Sequence, residues 1–285
     1  MAKNEQNEWI TTVATNLPHL SVLYRGCAIP VAWTILKGNK PHAWRGEWLR
    51  MLRILKADIS SEMTVIVLTD RGLYASWLFQ GIRRLGWHPF MRINAGGTFH
   101  PEGSGYYRSL SSFAPKPKTC FSGCGTAFKT KGKQLRCTLL AYWEEEMEEA
   151  WFILSDLPPS SCNACWYGLR AWIEQGFRTT KRGGWQWHRT RMTEPARASR
   201  LWLAVSVATL WLLSVGGEAD ETIPESTCLD ITQTLNQNRR QRKKTQLRSV
   251  SVFRRGLVRI LVALLCHDSL PIPRFVPEPW SEVLD

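Results

Sequence analysis

The chain lacks the two apolar features by which exported and membrane-spanning proteins are recognised. Its first nine residues, MAKNEQNEW, are polar and contain no apolar core of the kind found in a signal peptide. Its longest apolar run, at residues 201–215, is shorter than the roughly 20 residues that a helix needs to cross a bilayer. We therefore expect a buried helix at this run, a cytoplasmic location and no membrane partner.

Acidic residues are scarce relative to basic ones. The sequence contains 24 Asp and Glu residues and 37 Lys and Arg residues, which gives a net charge of +13. A surplus of this size indicates a polyanionic partner, either nucleic acid or an anionic membrane surface. The alternative is a basic protein whose charge serves only solubility. The eight cysteines are expected to be thiols in a reducing compartment.

Hydrophobic spacing in the first third of the chain predicts an α/β fold. Residues 63–70 and 88–93 are apolar, strand-like runs, and residues 73–85 between them carry apolar side chains at helical spacing. A strand, a helix and a second strand in this order indicate a βαβ unit and a parallel pair of strands. Before this unit we predict two strands within residues 20–36, joined at an Arg-Gly turn, and a helix over residues 44–55.

The middle of the chain divides into a basic loop region and two further predicted strands. Residues 94–134 are rich in Gly, Ser, Lys and Pro and are expected to form an irregular insertion with some short strands. Residues 135–143 and 151–157 are predicted strands on either side of the acidic run at 144–149. That run is predicted to be a solvated hairpin tip, with an acidic metal trap as the alternative.

Two helices and a basic tail are predicted in the remainder. A helix that begins after Ser161 is expected to end at Gly183, and the next helix, which contains the apolar run, is expected over residues 198–215. After that helix the composition changes. Residues 238–248 are a basic run, and residues 253–265 are a short helix that is both basic and apolar. We expect a tail that is mobile in part, with one helix that docks or binds DNA phosphates.

The first of these helices carries four polar side chains at a regular spacing: Tyr167, Arg170, Glu174 and Lys181. At about 100° per residue of an α-helix, the four share one stripe. A carboxylate beside two cations, together with an acid that ends a strand, Asp70, suits phosphodiester chemistry, because carboxylates hold Mg²⁺ and cations meet phosphate oxygens. The alternative is a solvated helix face with an Arg170–Glu174 ion pair. The adjacent stripe, expected to face the sheet, comprises Leu169, Ile173 and Phe177.

The spacing Y-x2-R-x3-E-x6-K resembles the Y-R-E-K signature of bacterial insertion-sequence transposases of the DDE class. Three flanking blocks resemble the same family in the same order. They are VLYRGCAIPVAW at residues 22–33, VIVLTDRGLYA at 65–75, which matches the second-aspartate region, and GGWQWHRTRM at 183–192, which follows the glutamate helix. The resemblance covers about residues 20–216.

The resemblance implies an RNase H-like α/β fold. It is a five-stranded mixed sheet flanked by helices, with a largely β insertion between the second aspartate and the catalytic glutamate. On this basis residues 1–93 form the first part of the core, residues 94–157 the insertion, and residues 158–217 the catalytic-Glu helix with the core helix that follows. Residues 218–285 form a basic C-terminal tail.

The implied activity is hydrolysis and transesterification at the ends of an insertion sequence, with Mg²⁺ or Mn²⁺ held by three carboxylates. By the motif, Asp70 is the second metal ligand and Glu174 the third. Phosphates near the transposon end would be contacted by Tyr167, Arg170 and Lys181. The implied partner is double-stranded DNA, at element ends and target, bound by a homodimer at the nucleoid of the bacterial cytoplasm.

The chain departs from the family at the first aspartate, which belongs on a strand before residue 22. No aspartate precedes Tyr24, and Asp58 follows the first predicted helix. We therefore expect an N-terminally truncated chain in which residues 9–15 fill the strand position, and Glu8 is a poor substitute for the missing acid. With two carboxylates in place of three, weak metal binding and impaired cleavage are expected. The alternative is a non-catalytic transposase remnant that still binds DNA.

Three further alternatives rest on other residues. The pairs Cys162-x2-Cys165 and Cys120-x3-Cys124, with Cys137 nearby in the sequence, have spacings compatible with structural zinc. The basic and apolar tail helix suggests a membrane-surface protein. In the Trp-rich insertion, Trp143 is a candidate for stacking on an unpaired base, with packing inside the hairpin as the alternative.

Overall fold

The computed structural model describes residues 15–37, 44–190, 192–218 and 251–275. Contacts between residues divide the chain into two compact units. The second unit contains residues 48–168, and the first contains the other described residues. The predicted basic run at 238–248, Glu8 and all but the last of residues 9–15 lie outside the described residues.

The second unit is built on one mixed sheet of seven strands. They are β5 Ile66–Thr69, β6 His88–Ile93, β7 Thr98–Pro101, β8 Arg108–Ser109, β9 Thr119–Ala127, β10 Leu135–Trp143 and β11 Trp151–Ser155. Their order in the sheet is β5-β6-β11-β10-β9-β7-β8. Strands β5 and β6 run parallel, and the other neighbours are antiparallel. The expected α/β class and the parallel pair are therefore confirmed.

Helix α2, Ser76–Arg84, connects β5 to β6, and its apolar face explains its position. Leu78, Phe79 and Ile82 are buried, and α2 packs on β6. The helix ends before Gly86, whose φ of 73° an L side chain rarely adopts. Helix α1, Arg45–Asp58, precedes β5 and buries Met51 and Leu52, as its apolar stripe predicts.

Strand β9 is the main difference from the expected irregular insertion at residues 94–134. It has nine residues and pairs with β10 along its whole length. Its glycines, Gly123 and Gly125, weaken any sequence signal for a strand. Packing requires Gly125, because the His100 carbonyl oxygen approaches it too closely for a side chain, whereas a side chain at Gly123 would have to displace the ring of Phe121.

The first unit contains the predicted pair of strands. They are β2, His19–Tyr24, and β3, Cys27–Trp33, and they form an antiparallel hairpin. Arg25 and Gly26 turn the chain at φ values of 43° and 82°, the conformation of a tight hairpin turn. Two short strands, β1 Thr15–Asn16 and β4 Leu36–Lys37, pair with each other.

The described residues of the first unit also form three α-helices: α3, Arg170–Arg178, α4, Pro195–Glu218, and α5, Val252–Leu265. Helix α5 crosses α4 where Gly216 and Gly256 bring the two backbones together. The predicted tail helix therefore docks on the apolar helix before it. The core between them includes Leu213, Val215 and Phe253.

Helix α4, Pro195–Glu218, extends beyond the predicted helix, residues 198–215, at both ends. Among the described residues it is the one helix whose length and composition would allow a membrane crossing. Half of its most apolar window is buried inside the protein. Leu203, Val207 and Leu210 on this helix are exposed, so the helix that was expected to be buried is buried on one face only.

His19 is expected to make the first unit sensitive to acid. Its ring packs edge-on against Phe177, with centroids 5.0 Å apart, and against Trp202, at 5.7 Å. Burial lowers the pKa of His19 from its usual 6.5, opposed in part by a hydrogen bond with the Leu17 carbonyl. Since the folded state then binds fewer protons than the unfolded state, stability should fall as the pH drops below about 6.5.

The loss from this one group is at most about 1.4 kcal/mol per pH unit, the slope for one proton. Urea denaturation at several pH values between 7.5 and 5 measures it. The His19→Gln variant should lose this part of the slope, whereas His267→Asn, at an exposed histidine, should keep it. An unchanged slope in His19→Gln would contradict the expectation.

Candidate active site and nucleic-acid interface

Asp70 lies directly after β5, at the end of the parallel strand, as the sequence predicts. Its Oδ1 accepts hydrogen bonds from the backbone N–H groups of Gly72 and Leu73, at 3.0 and 3.1 Å. The side chain is exposed. This turn holds one carboxylate oxygen in place and keeps the acid at the surface of the second unit.

The acidic run at residues 144–149 connects β10 to β11, so the predicted hairpin is confirmed. Two of its five carboxylates form ion pairs with cations. Glu149 binds Arg71 at 3.0 Å and Arg92 at 2.8 Å, and Glu145 binds Lys118 at 2.6 Å. Among the described residues no group of three or more His, Cys, Asp or Glu side chains is placed to hold a metal ion. The metal-trap alternative is therefore not supported.

Trp143 and Met147 contact each other within the connection between β10 and β11. The Trp143 indole Nε1 donates a hydrogen bond to the Met147 carbonyl oxygen at 3.0 Å, and the Met147 side chain is buried. These contacts favour hairpin packing for Trp143 over the alternative of base stacking.

The cysteines do not form a metal centre in the described part of the chain. Cys120 is exposed, whereas burial raises the pKa of Cys137 to about 12 and of Cys162 to about 11. The zinc alternative has no support in the structure.

The prediction of one α-helix from Ser161 to Gly183 is wrong in helix type. Residues Ala164–Leu169 form a 3₁₀-helix, α3 follows, and Thr179–Gly183 form a π-helix. A spacing of 100° per residue therefore does not hold along the whole segment. The single stripe inferred for the four signature residues does not follow.

Tyr167 lies in the 3₁₀ part and belongs to the second unit. Its side chain is only 2% exposed. Its ring packs edge-on against Trp151, with centroids 5.1 Å apart, and lies 5.7 Å from the Arg92 guanidinium carbon. In this position the ring stabilises Arg92, and its predicted phosphate contact would require the phenol to become accessible.

Helix α3 carries Arg170 and Glu174 in the first unit. Arg170 Nη1 and Glu174 Oε1 are 2.7 Å apart, and the two side chains are 33% and 50% exposed. This is the i,i+4 pair that the sequence offers as the plainer explanation. The carboxylate of this pair lies at the surface of the first unit.

Lys181 lies in the π-helix and is exposed. Its Nζ lies 5.6 Å from the centroid of the Phe177 ring. Phe177 is 39% exposed, and its ring packs against that of His19 on β2, with centroids 5.0 Å apart, so it meets the β2–β3 hairpin while part of the ring stays at the surface. The fully buried face of this segment is made by small residues, Gly176, Thr179 and Thr180.

Gly176 explains how α3 approaches β3 so closely. A Cβ at this position would lie 3.0 Å from both the Cβ and the carbonyl oxygen of Ala28. Thr180 Oγ1 donates to the Gly176 carbonyl oxygen at 3.0 Å. Sequence reasoning missed this contact because it counted large apolar residues, whereas small residues at helical spacing were the available signal.

The carboxylates of Asp70 and Glu174 have the donor chemistry that suits a divalent ion, because Mg²⁺ and Mn²⁺ prefer carboxylate oxygens. Asp70 belongs to the second unit and Glu174 to the first. Asp58, the other aspartate in the first seventy residues, ends helix α1. The two side chains thus have the donor chemistry that such a metal requires.

Comparison with known proteins identifies the family. The family model described as "Transposase DDE domain" matches residues 33–212, a span that includes Asp70 and all four signature residues. No curated protein matches the chain. Transposases with this domain act on DNA, generally use divalent metals and are typically cytoplasmic. The match covers more than half of the chain, and the mixed sheet with its helices is compatible with an RNase H-like DDE domain, so the chain belongs to the DDE transposase family.

Proposed function

We propose that the chain is an insertion-sequence transposase of the Y-R-E-K type that binds the ends of its element. The observation that carries the proposal is a family match that includes Asp70, at the carboxyl end of parallel strand β5, and Glu174, on α3. The spacing of Tyr167, Arg170, Glu174 and Lys181 supports the subtype. The partner is double-stranded DNA, and the family suggests a homodimer on paired ends.

Asp70 and Glu174 are the residues that would hold Mg²⁺ or Mn²⁺. Bound there, the ions supply activation of the attacking oxygen and stabilisation of the leaving oxygen of a phosphodiester. Arg170 holds the Glu174 carboxylate by its 2.7 Å contact. Lys181, which is exposed, offers a point charge to a phosphate, and the Arg170 guanidinium offers a planar fork.

We further propose that this chain cleaves DNA poorly while binding it well. Residues 1–57 contain no aspartate, and Asp58 terminates a helix, so two carboxylates stand where the family uses three. The loss of one ligand weakens divalent-ion binding. The net charge of +13 does not depend on that ligand and is sufficient for association with phosphates. A DNA-binding protein without catalysis is thus the second candidate function.

Titration of a duplex carrying the element's terminal sequence against salt tests the binding. We expect the association constant to fall by roughly 10³ between 50 and 200 mM salt, since several phosphate contacts release counterions. Lys181→Ala should weaken binding and reduce the salt slope by about one. Lys129→Ala, at an exposed loop lysine of the second unit, is the matched control and should leave the slope unchanged.

Incubation of the same duplex with Mg²⁺ or Mn²⁺ tests the chemistry. Little or no strand cleavage is expected from residues 1–285. Robust metal-dependent cleavage would contradict the impairment, and cleavage lost in Glu174→Gln would then assign the glutamate. Absence of salt-sensitive DNA binding would overturn the proposed function itself.

A further inference from the structure

One carboxylate bridges two arginines at the edge of the sheet that carries Asp70. Glu149 Oε2 lies 3.0 Å from Arg71 Nη1, and Oε1 lies 2.8 Å from Arg92 Nη2. Arg71 directly follows Asp70, and Arg92 lies near the carboxyl end of β6, the parallel neighbour of β5. Both cations are therefore placed by the strands that also place the proposed metal ligand.

The Arg92 guanidinium is fixed in position. Its side chain is 12% exposed, and its central carbon lies 5.8 Å from the Trp151 ring and 5.7 Å from the Tyr167 ring. Its Nε is buried and has no acceptor within the described ranges. A cation held this way is costly without an anion, because burial removes its hydration.

Arginine forks bind carboxylates and phosphates by the same paired hydrogen bonds. Each oxygen of Glu149 meets a different guanidinium, as two oxygens of a phosphate diester would. A second acid of the same run, Glu145, binds Lys118 just before β9. The acidic run thus covers cations that come from three separate parts of the sheet.

We infer that Glu149 occupies a phosphate position, and that a DNA phosphate displaces it from Arg71 and Arg92 when the nucleic acid binds. The inference rests on the proposed function, in which DNA is the partner. The acidic run 144–149 then restricts this basic edge to ligands that compete with an internal carboxylate. Phosphodiesters of a strand that passes Asp70 are the ligands whose chemistry fits.

The Glu149→Gln variant tests this, with Glu148→Gln as a matched control. Both glutamates are exposed in the same connection, and both changes remove one negative charge. Thermal unfolding is measured in metal-free buffer with increasing inorganic pyrophosphate. Pyrophosphate should raise the Tm of Glu149→Gln by about 3 °C or more at saturation and leave Glu148→Gln close to wild type. Affinity for a duplex of arbitrary sequence should rise about three- to tenfold in Glu149→Gln relative to Glu148→Gln.

Equal responses of the two variants would show an effect of net charge alone and overturn the inference. A Glu149→Gln protein that fails to fold even with pyrophosphate would also overturn it, because Glu149 would then be a structural partner. If wild type and variants all fail to bind DNA, the proposed function fails, and the pyrophosphate response still decides whether the two arginines form an anion site.

Discussion

The Gly256→Ala variant is expected to lose about 3 kcal/mol of stability, since overpacking between two backbones leaves no side chain to move aside. A Cβ on Gly256 would overlap the Leu212 carbonyl oxygen, and a Cβ on Gly216 would overlap that of Val252. The two glycines thus set the distance between α4 and α5. Arg259 Nη1 donates to the Val215 carbonyl oxygen at 3.3 Å in the same crossing.

Chemical denaturation followed by circular dichroism measures this loss. Gly46→Ala is the matched control, because Gly46 lies in helix α1 and a Cβ there meets nothing within 4 Å. We expect that control to be neutral or stabilising by up to about 1 kcal/mol. A Gly256→Ala protein as stable as wild type would show that the two helices are not in close contact in solution.

The Trp202→Ala variant is expected to lose about 3–5 kcal/mol, as large-to-small changes of buried aromatic residues do. Trp202 is 1% exposed and packs edge-on against Trp187, with centroids 5.0 Å apart. It also contacts the His19 ring, which in turn contacts Phe177 on α3. The cavity left by alanine would therefore loosen the helix that carries Glu174.

Two further variants separate burial from other effects of changing α4. Leu203→Ala changes the next residue, which is 53% exposed, and should alter stability by about 0.5 kcal/mol or less. Trp202→Phe should cost less than Trp202→Ala, because the buried indole N–H has no acceptor among the residues described here. Equal losses for Trp202→Ala and Leu203→Ala in urea denaturation would contradict the packing argument.

Several helices and strands were predicted correctly from residues that are close together in the sequence. Apolar and β-branched residues predict β2 and β3, and the Arg25-Gly26 pair predicts their turn. Apolar spacing predicts α2 and the parallel strands on either side of it, because a βαβ connection leaves few other topologies. The predicted bounds of β10, residues 135–143, agree with the structure.

Features that depend on contacts between distant residues were missed. Strand β9 was not predicted because it contains Gly123 and Gly125, and glycine is uncommon in strands. The Phe121 ring lies against the first glycine and the His100 carbonyl oxygen against the second. The change from 3₁₀- to α- to π-helix around Tyr167 and Lys181 has no counterpart in residue type. A periodicity argument assumes one helix geometry throughout, so it placed side chains on one stripe that the backbone does not maintain.

The candidate site, too, could be predicted only in part from the sequence. The sequence motif selects Asp70 and Glu174, and their exposed positions are compatible with the roles proposed for them. The partners of the surrounding charges could not be predicted. Glu149 and Arg71 are separated by 78 residues in the chain, and only the folded sheet brings them together.

The π turn at Thr179–Gly183 affects how a one-residue gap should be interpreted when related sequences are aligned to the Y-R-E-K signature. A π turn holds one residue more than an α turn does. A homologue that continues as a regular α-helix, with one residue fewer between its glutamate and its lysine, can therefore present the lysine at a similar height on the helix. Alignment scoring that penalises a single deletion at this point would undervalue such a match.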